Sequence, residues 1–257
     1  MPKSYRALQA KRFPLHESYT IPTQYSYLDI EIPDTTIVRQ YLPIPQEFSS
    51  YHVHHEMIFE QFGRAKGVDF SQFAAPFEFY MHFRGNDKLL LIQTQKKVCA
   101  SLVNDLIYTG DFDIEHFVVN FDILQPYITQ VRGAWFKFKE PDLRASGHFG
   151  NHVDQSTAYR EALQTGELSS LYVLHDFEGA PLQIQITSDC AIVLYTPFDQ
   201  ISTELSVAIN VLGMLNAVGA LSIVPPKKTK HRGLSSPDEV QKTKSLGPLF
   251  EGLEESG

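Results

Sequence analysis

The chain has 257 residues, with 30 acids against 22 bases and a formal charge of −8. That balance excludes a general nucleic-acid binder, whose surface must neutralise phosphate. With 43% hydrophobic residues it can bury a core, while two cysteines, Cys99 and Cys190, with no CxxC pair, exclude a disulfide framework and fit reduced thiols in a cytoplasmic protein.

Residues 1–22, opening "MPKSYRALQAKRFPLH", are basic and lack the apolar run of a signal peptide. They are expected as a loosely ordered arm, followed by a globular region over 23–224 with possible halves at 23–112 and 113–224. "YSYLDIEI" (25–32), the turn "PDT" and "TIVRQYL" (36–42) read as a hairpin.

"SSYHVHHEMIFEQFG" admits two geometries. On a helix capped near Ser49 or Ser50, Phe48, Tyr51, His55, Ile58 and Phe62 form an apolar stripe, and the length of the run favours this reading. On a strand, His52, His54 and Glu56 share one face, because side chains alternate with a period of two. In that form His52-x-His54, Glu60 and Gly67 look like the first cupin motif. The resemblance implies two histidines and a glutamate holding a divalent metal in a jelly-roll barrel. The match departs from the motif in three ways: one residue too many separates His54 from Glu60, Gln46 stands at the leading glycine, and no second motif follows. The family is therefore not carried over.

"PFEFYMHF" (76–83), "RGND" and "KLLLIQT" (88–94) read as a second hairpin. A helix is expected over 95–108, capped by Thr94, with Val98, Leu102, Val103 and Leu106 inward. Asp111, Asp113 and Glu115 read as a solvated loop. "HFVVNFDI" (116–123) and "AWFKFK" (134–139) read as strands. In the latter Trp135 shares a face with Lys137 and Lys139, a pattern that suits stacking on a base or sugar, or packing at a half-exposed edge. "GHFGNHVD" adds His148 and His152, where Gly147 and Gly150 oppose a helix. If the two histidine segments converge, His52, His54, His148 and His152 form a site for zinc, iron or nickel.

Asp154 is expected to cap a helix over 155–165, and Gly166 to stop it. Strands follow at 170–177, 182–187 and 191–196. Leu182, Ile184 and Ile186 should face the core, with Gln183, Gln185 and Thr187 outward. A long helix is expected from Ile201 to Val224, capped by Asp199 and ended by Pro225-Pro226. Within it, residues 205–224 carry no charge and are long enough to span a bilayer. The stripe of Ser206, Asn210, Gly213 and Ala217 argues instead for packing against a sheet. "RGNDKLLLIQTQKKVCASLVNDLI" and "ITSDCAIVLYTPFDQISTELSVAI" share the order turn, strand, threonine, helix, with Thr94 matching Thr196. Residues 225–257 read as a disordered tail, in which Leu249, Phe250 and Leu253 can dock into a partner groove.

The fold class expected is α+β: a mainly antiparallel sheet built from hairpins, in two loosely similar halves, each with a packing helix. No GxSxG, P-loop, GxGxxG or HExxH motif is present. A non-enzymatic binding or adaptor protein acting on another protein is therefore the first expectation. Its rival is a metal-dependent enzyme built on the histidines, and a membrane tether through 205–224 is the third.

Overall fold

The computed structural model describes residues 2–15, 17–22, 33–44, 47–137 and 145–225. The strand expected at 25–32 lies outside the described residues, as does the tail beyond 225 with Leu249, Phe250 and Leu253. Lys3–Arg12, expected as a loose arm, is instead strand β1 in the middle of the sheet. The correction has a physical reason. Tyr5 and Ala7 are buried on one face and Leu8 and Ala10 on the other. Two cations of the strand are anchored, Lys3 on Glu204 and Arg6 on Asp189.

Twelve further strands follow: β2 Ser18–Ile21, β3 Thr35–Gln40, β4 Phe48–Ala65, β5 Val68–Arg84, β6 Leu89–Ile92 and β7 Asp113–Val119, then β8 Gln130–Lys137, β9 Ala145–Phe149, β10 Leu168–Phe177, β11 Ala180–Thr187, β12 Ala191–Leu194 and β13 Leu221–Val224. They run in the order β2-β3-β4-β5-β6-β1-β12-β11-β10-β8-β9, with β7 joining β1 to β13. Every described pair is antiparallel. The helices are α1 Lys96–Tyr108, α2 Phe121–Leu124, α3 Thr157–Gln164 and α4 Ile201–Ala217. The chain is thus an α+β protein with a mainly antiparallel sheet.

Alternation along the central strands places α1 and α4 on opposite faces. In β6, Leu90 and Ile92 join the core beneath α1, with Val98, Leu102 and Leu106, while Leu89 and Leu91 join the core beneath α4, with Leu205, Val211 and Leu215. That double burial explains the unbroken run "LLLI", because a strand covered on both faces has no polar positions. β6 and β12, the strands of the sequence echo, both pair with β1, and each leads into a long helix. Among the described residues the flanks are covered on one side only. Ile37, Val53 and Phe79 pack under α1, while Val38, His52 and Glu78 on the reverse face stay accessible. Leu171, Ile184 and Ile192 pack under α4, while Tyr172, Gln183 and Tyr195 stay accessible.

α4 is shorter than the expected span to Val224. It ends at Ala217 with Val218 as its C-cap, and Gly219 then takes the left-handed conformation at φ +74°, which a Cβ would strain. The stripe expected to pack is the outer one, with Asn210 and Gly213 exposed and Leu205, Ala208, Val211, Leu212 and Leu215 turned inward. Among the described residues no helix is long and apolar enough to cross a membrane. The caps also differ from expectation. Gln95 and Gln200, not Thr94 and Asp199, hold the extended N-cap positions of α1 and α4, and neither side chain caps a backbone N–H.

Asp154 falls in a short 3₁₀ turn, and Ser156 caps α3 by accepting from the Tyr159 N–H. Ser156→Ala is expected to cost about 1 kcal/mol. The urea midpoint should fall at constant slope, whereas an unchanged midpoint would show that the cap adds nothing.

Candidate functional site

β4 is a strand, which corrects the helix expected over "SSYHVHHEMIFEQFG". The stripe of Phe48, Tyr51, His55, Ile58 and Phe62 does not share one face. Instead Tyr51, Val53 and His55 alternate into the core. β4 and β5 pair from Phe48↔Arg84 out to Ala65↔Val68, with a bulge between Glu60 and Gly63. β3 supports β4 only as far as His54, and β6 supports β5 only from Met81 to Arg84. Beyond Glu56↔Pro76 the two strands therefore continue as a ribbon that no third described strand flanks. At about 3.4 Å per residue it reaches roughly 30 Å.

The ribbon is closed by Lys66 at φ +49° and Gly67 at φ +83°. Two consecutive left-handed residues make the turn whose twist matches a two-residue hairpin. Along the ribbon, Phe59 stacks on Phe73 at 5.3 Å and meets Phe77 at 6.2 Å. Arg64 forks onto Asp69 at 2.7 and 3.0 Å near the tip. Phe62 is 90% exposed.

On the open face at the base of the ribbon, Glu78 lies between two imidazoles. Its Oε2 is 3.0 Å from His52 Nε2 and its Oε1 is 2.6 Å from His54 Nδ1. His54 Nε2 is 3.7 Å from Glu56. Each ring nitrogen addresses its own oxygen, so the donors do not converge on one point. Among the described residues no group of three or more histidines, cysteines or carboxylates can hold a metal ion.

The structure does not bring His148 and His152 to this pair. His148 stands on β9, the last strand of the path, with its ring edge-on to Phe136 at 4.9 Å. His152 occupies a left-handed position at φ +63°. Trp135 lies half-buried on β8 as expected, and Lys137 beside it is exposed, while Lys139 lies outside the described residues.

Two histidines are buried: His55, expected on the apolar stripe of a helix, and His82, which no pattern in the sequence singles out. His55 bonds Thr35 Oγ1 at 2.8 Å and Ser101 Oγ at 2.9 Å. His82 bonds Ser50 Oγ at 2.6 Å, and its Nε2 has no partner among the described residues. Burial pushes both down to about 4, His55 with help from the neighbouring His54. The Ser50–His82 pair is closed to solvent and so cannot present a nucleophile. Burial likewise pushes the thiols of Cys99 and Cys190 up to about 12, which keeps them protonated and inert.

Asp189 ties the β11–β12 turn to its surroundings. It accepts from Arg6 at 3.0 Å, Lys96 at 2.6 Å and Thr187 at 2.6 Å, and these partners hold its carboxyl well below the usual range despite burial. A shallow cleft lies where Phe48 and Arg84 meet Phe177, Ser206 and Asn210. The chain matches no protein-family model, and comparison with curated proteins finds no relative.

Proposed function

We propose that this is a non-enzymatic binding or adaptor protein, cytoplasmic, that acts through contacts with another protein, and that the β4–β5 ribbon is its docking element. The observation that carries the reading is the ribbon itself. An isolated two-stranded hairpin is at best marginally stable in water. This one nevertheless runs outward from its supporting strands with Phe59, Phe73 and Phe77 clustered and Phe62 almost fully exposed. Aromatic residues presented at the surface are the usual anchors of a protein interface. Arg64 and Asp69 neutralise one another, so the ribbon lacks the basic character of an arm that grips nucleic acid. Leu249, Phe250 and Leu253 are proposed as a second, linear contact. Among the described residues the metal-enzyme alternative has the His52–His54 pair to build on, and His52 Nε2 and both nitrogens of His54 already lie against carboxylates.

Affinity capture with the full chain, with Phe62→Ser and with a chain lacking residues 226–257 tests the reading. Phe62→Ser should leave the melting temperature nearly unchanged, as for other surface changes within about 0.5 kcal/mol, and should reduce partner recovery at least tenfold. Identical partners and yields from all three proteins would overturn the proposal.

A further inference from the structure

We infer that the open face of β8 to β12 is a binding platform for a neutral oligosaccharide chain, independent of the ribbon. The face is the reverse of the sheet surface packed on α4. It is lined by Trp135, Phe149, Tyr172 and Tyr195, with Gln183 and Gln185 between the tyrosines. Phe149 is 65% exposed. Its ring lies against Gly133 and Gly147, where an added Cβ would come within 3.0 Å of it. The two glycines therefore let the ring settle onto the strands, where any larger residue would lift it off. Trp135 meets Phe149 edge-on at 4.9 Å, and Tyr172 meets Tyr195 edge-on at 5.2 Å.

The polar groups are held in place. Tyr172 donates to Gln183 Oε1 at 2.5 Å, Tyr195 donates to Gln185 Oε1 at 2.8 Å, and Gln185 Nε2 donates to Ser170 Oγ at 2.8 Å. Fixed amides and hydroxyls between aromatic rings match the surface of a pyranose chain. Its C–H faces pack on rings, and its hydroxyls exchange hydrogen bonds with amides at little ordering cost.

Charge selects this ligand over a single-stranded nucleic acid, which would also stack on rings. The side chains of the central platform are neutral. Lys137 lies at its margin, and the cations beyond β12, Arg6 and Lys96, are both committed to Asp189. A face open on one side buries only one surface of its ligand, so the affinity expected is in the millimolar to sub-millimolar range.

Trp135 is the only tryptophan in the chain, so its emission reports on this face alone. The full chain is titrated with cellohexaose, maltohexaose and chitohexaose, and separately with an oligothymidylate at low salt. The expected result is a saturable change in Trp135 emission with at least one hexaose and none with the oligothymidylate. Tyr195→Ala and Phe149→Ala, both at exposed positions, should each weaken the hexaose response at least fivefold while leaving far-ultraviolet dichroism unchanged. The inference is overturned by no response to any hexaose up to its solubility limit. It is overturned equally by a response to the oligothymidylate alone, or by a hexaose response that survives both substitutions. None of these outcomes bears on the ribbon, whose test reads partner recovery.

Discussion

Lowering the pH from 7.5 to 5 is expected to remove about 4 kcal/mol of stability, roughly half from His55 and half from His82. Both rings are closed to solvent. Burial holds both near 4, whereas an unfolded chain releases its histidine protons near 6.5. Above about pH 6.5 both states are neutral and neither ring contributes. Between about 6.5 and about 4 the unfolded chain takes up protons that the folded chain refuses, so stability falls as pH falls. At pH 5 this linkage is worth about 2 kcal/mol per histidine. The loss is a large fraction of the roughly 5–15 kcal/mol that holds a typical domain together.

Burial sets the sign, and the groups facing each ring do not reverse it. His55 has Thr35 and Ser101 on its nitrogens, with Asp105 at 3.9 Å. His82 has Ser50 on one side, the rings of Tyr5 and Tyr80 at 6.3 Å, and an Nε2 unbonded among the described residues. A carboxylate origin is separable from this one. Asp189 is depressed, so the stability it adds is present above the usual carboxylate range and fades only below it, at more acid pH. Urea titrations at pH 7.5 and 5 measure the effect, and His82→Leu, which abolishes one proton site, should halve the slope between them. A midpoint independent of pH across that window would show that the rings are protonated in the folded state.

How much of this was legible in the residues depends on what each position had to signal. β11 was read correctly, since Leu182, Ile184 and Ile186 alternate with Gln183 and Gln185 on a strand covered on one face only. The β5–β6 hairpin was legible from its apolar runs on either side of a turn, and α1 from a single helical period with one apolar face. β1 was hidden because it is buried on both faces near its middle and carries Lys3 and Arg6, whose partners lie about two hundred residues away in the chain. β4 was misread because its aromatic and apolar residues fit a period of 3.6 as well as 2, and because a buried histidine, His55, takes the place of an apolar residue. The small residues of the outward stripe of α4 suit a packing face as well as a solvent face, so composition alone does not tell the two apart. The four-histidine site failed on topology, because spacing along the chain does not reveal that β4 and β9 occupy different parts of the strand path. The platform around Trp135 was half visible: the tryptophan was singled out, but the tyrosines and Phe149 reach it only through strand pairing.

Replacing Glu204 by leucine is expected to cost about 3 kcal/mol, and adding Tyr5→Phe to that variant is expected to restore most of the loss. Glu204 sits on the first turn of α4, 1% exposed, just before the uncharged stretch that suggested a membrane helix. Its Oε2 accepts from Tyr5 Oη at 2.5 Å and its Oε1 from Lys3 Nζ at 2.5 Å. Burial and the adjoining carboxylate raise Tyr5 far above an ordinary phenol, so the hydroxyl keeps its proton and stays the donor. The pair fastens the start of α4 to the N-terminal half of β1.

Removing the acceptor alone strands a buried hydroxyl, whereas Lys3, half exposed, can turn to water. Tyr5→Phe alone removes a hydrogen bond to a charged group and should cost about 2 kcal/mol. Replacing both partners leaves two apolar side chains facing one another, and that exchange is close to neutral when their volumes are similar. The double-mutant cycle should therefore return a coupling close to the sum of the two single losses, about 4 kcal/mol. Additive losses would mean that the phenol and the carboxylate do not share a proton-bearing contact in solution. In that case β1 would be held to α4 by Lys3 and apolar packing alone.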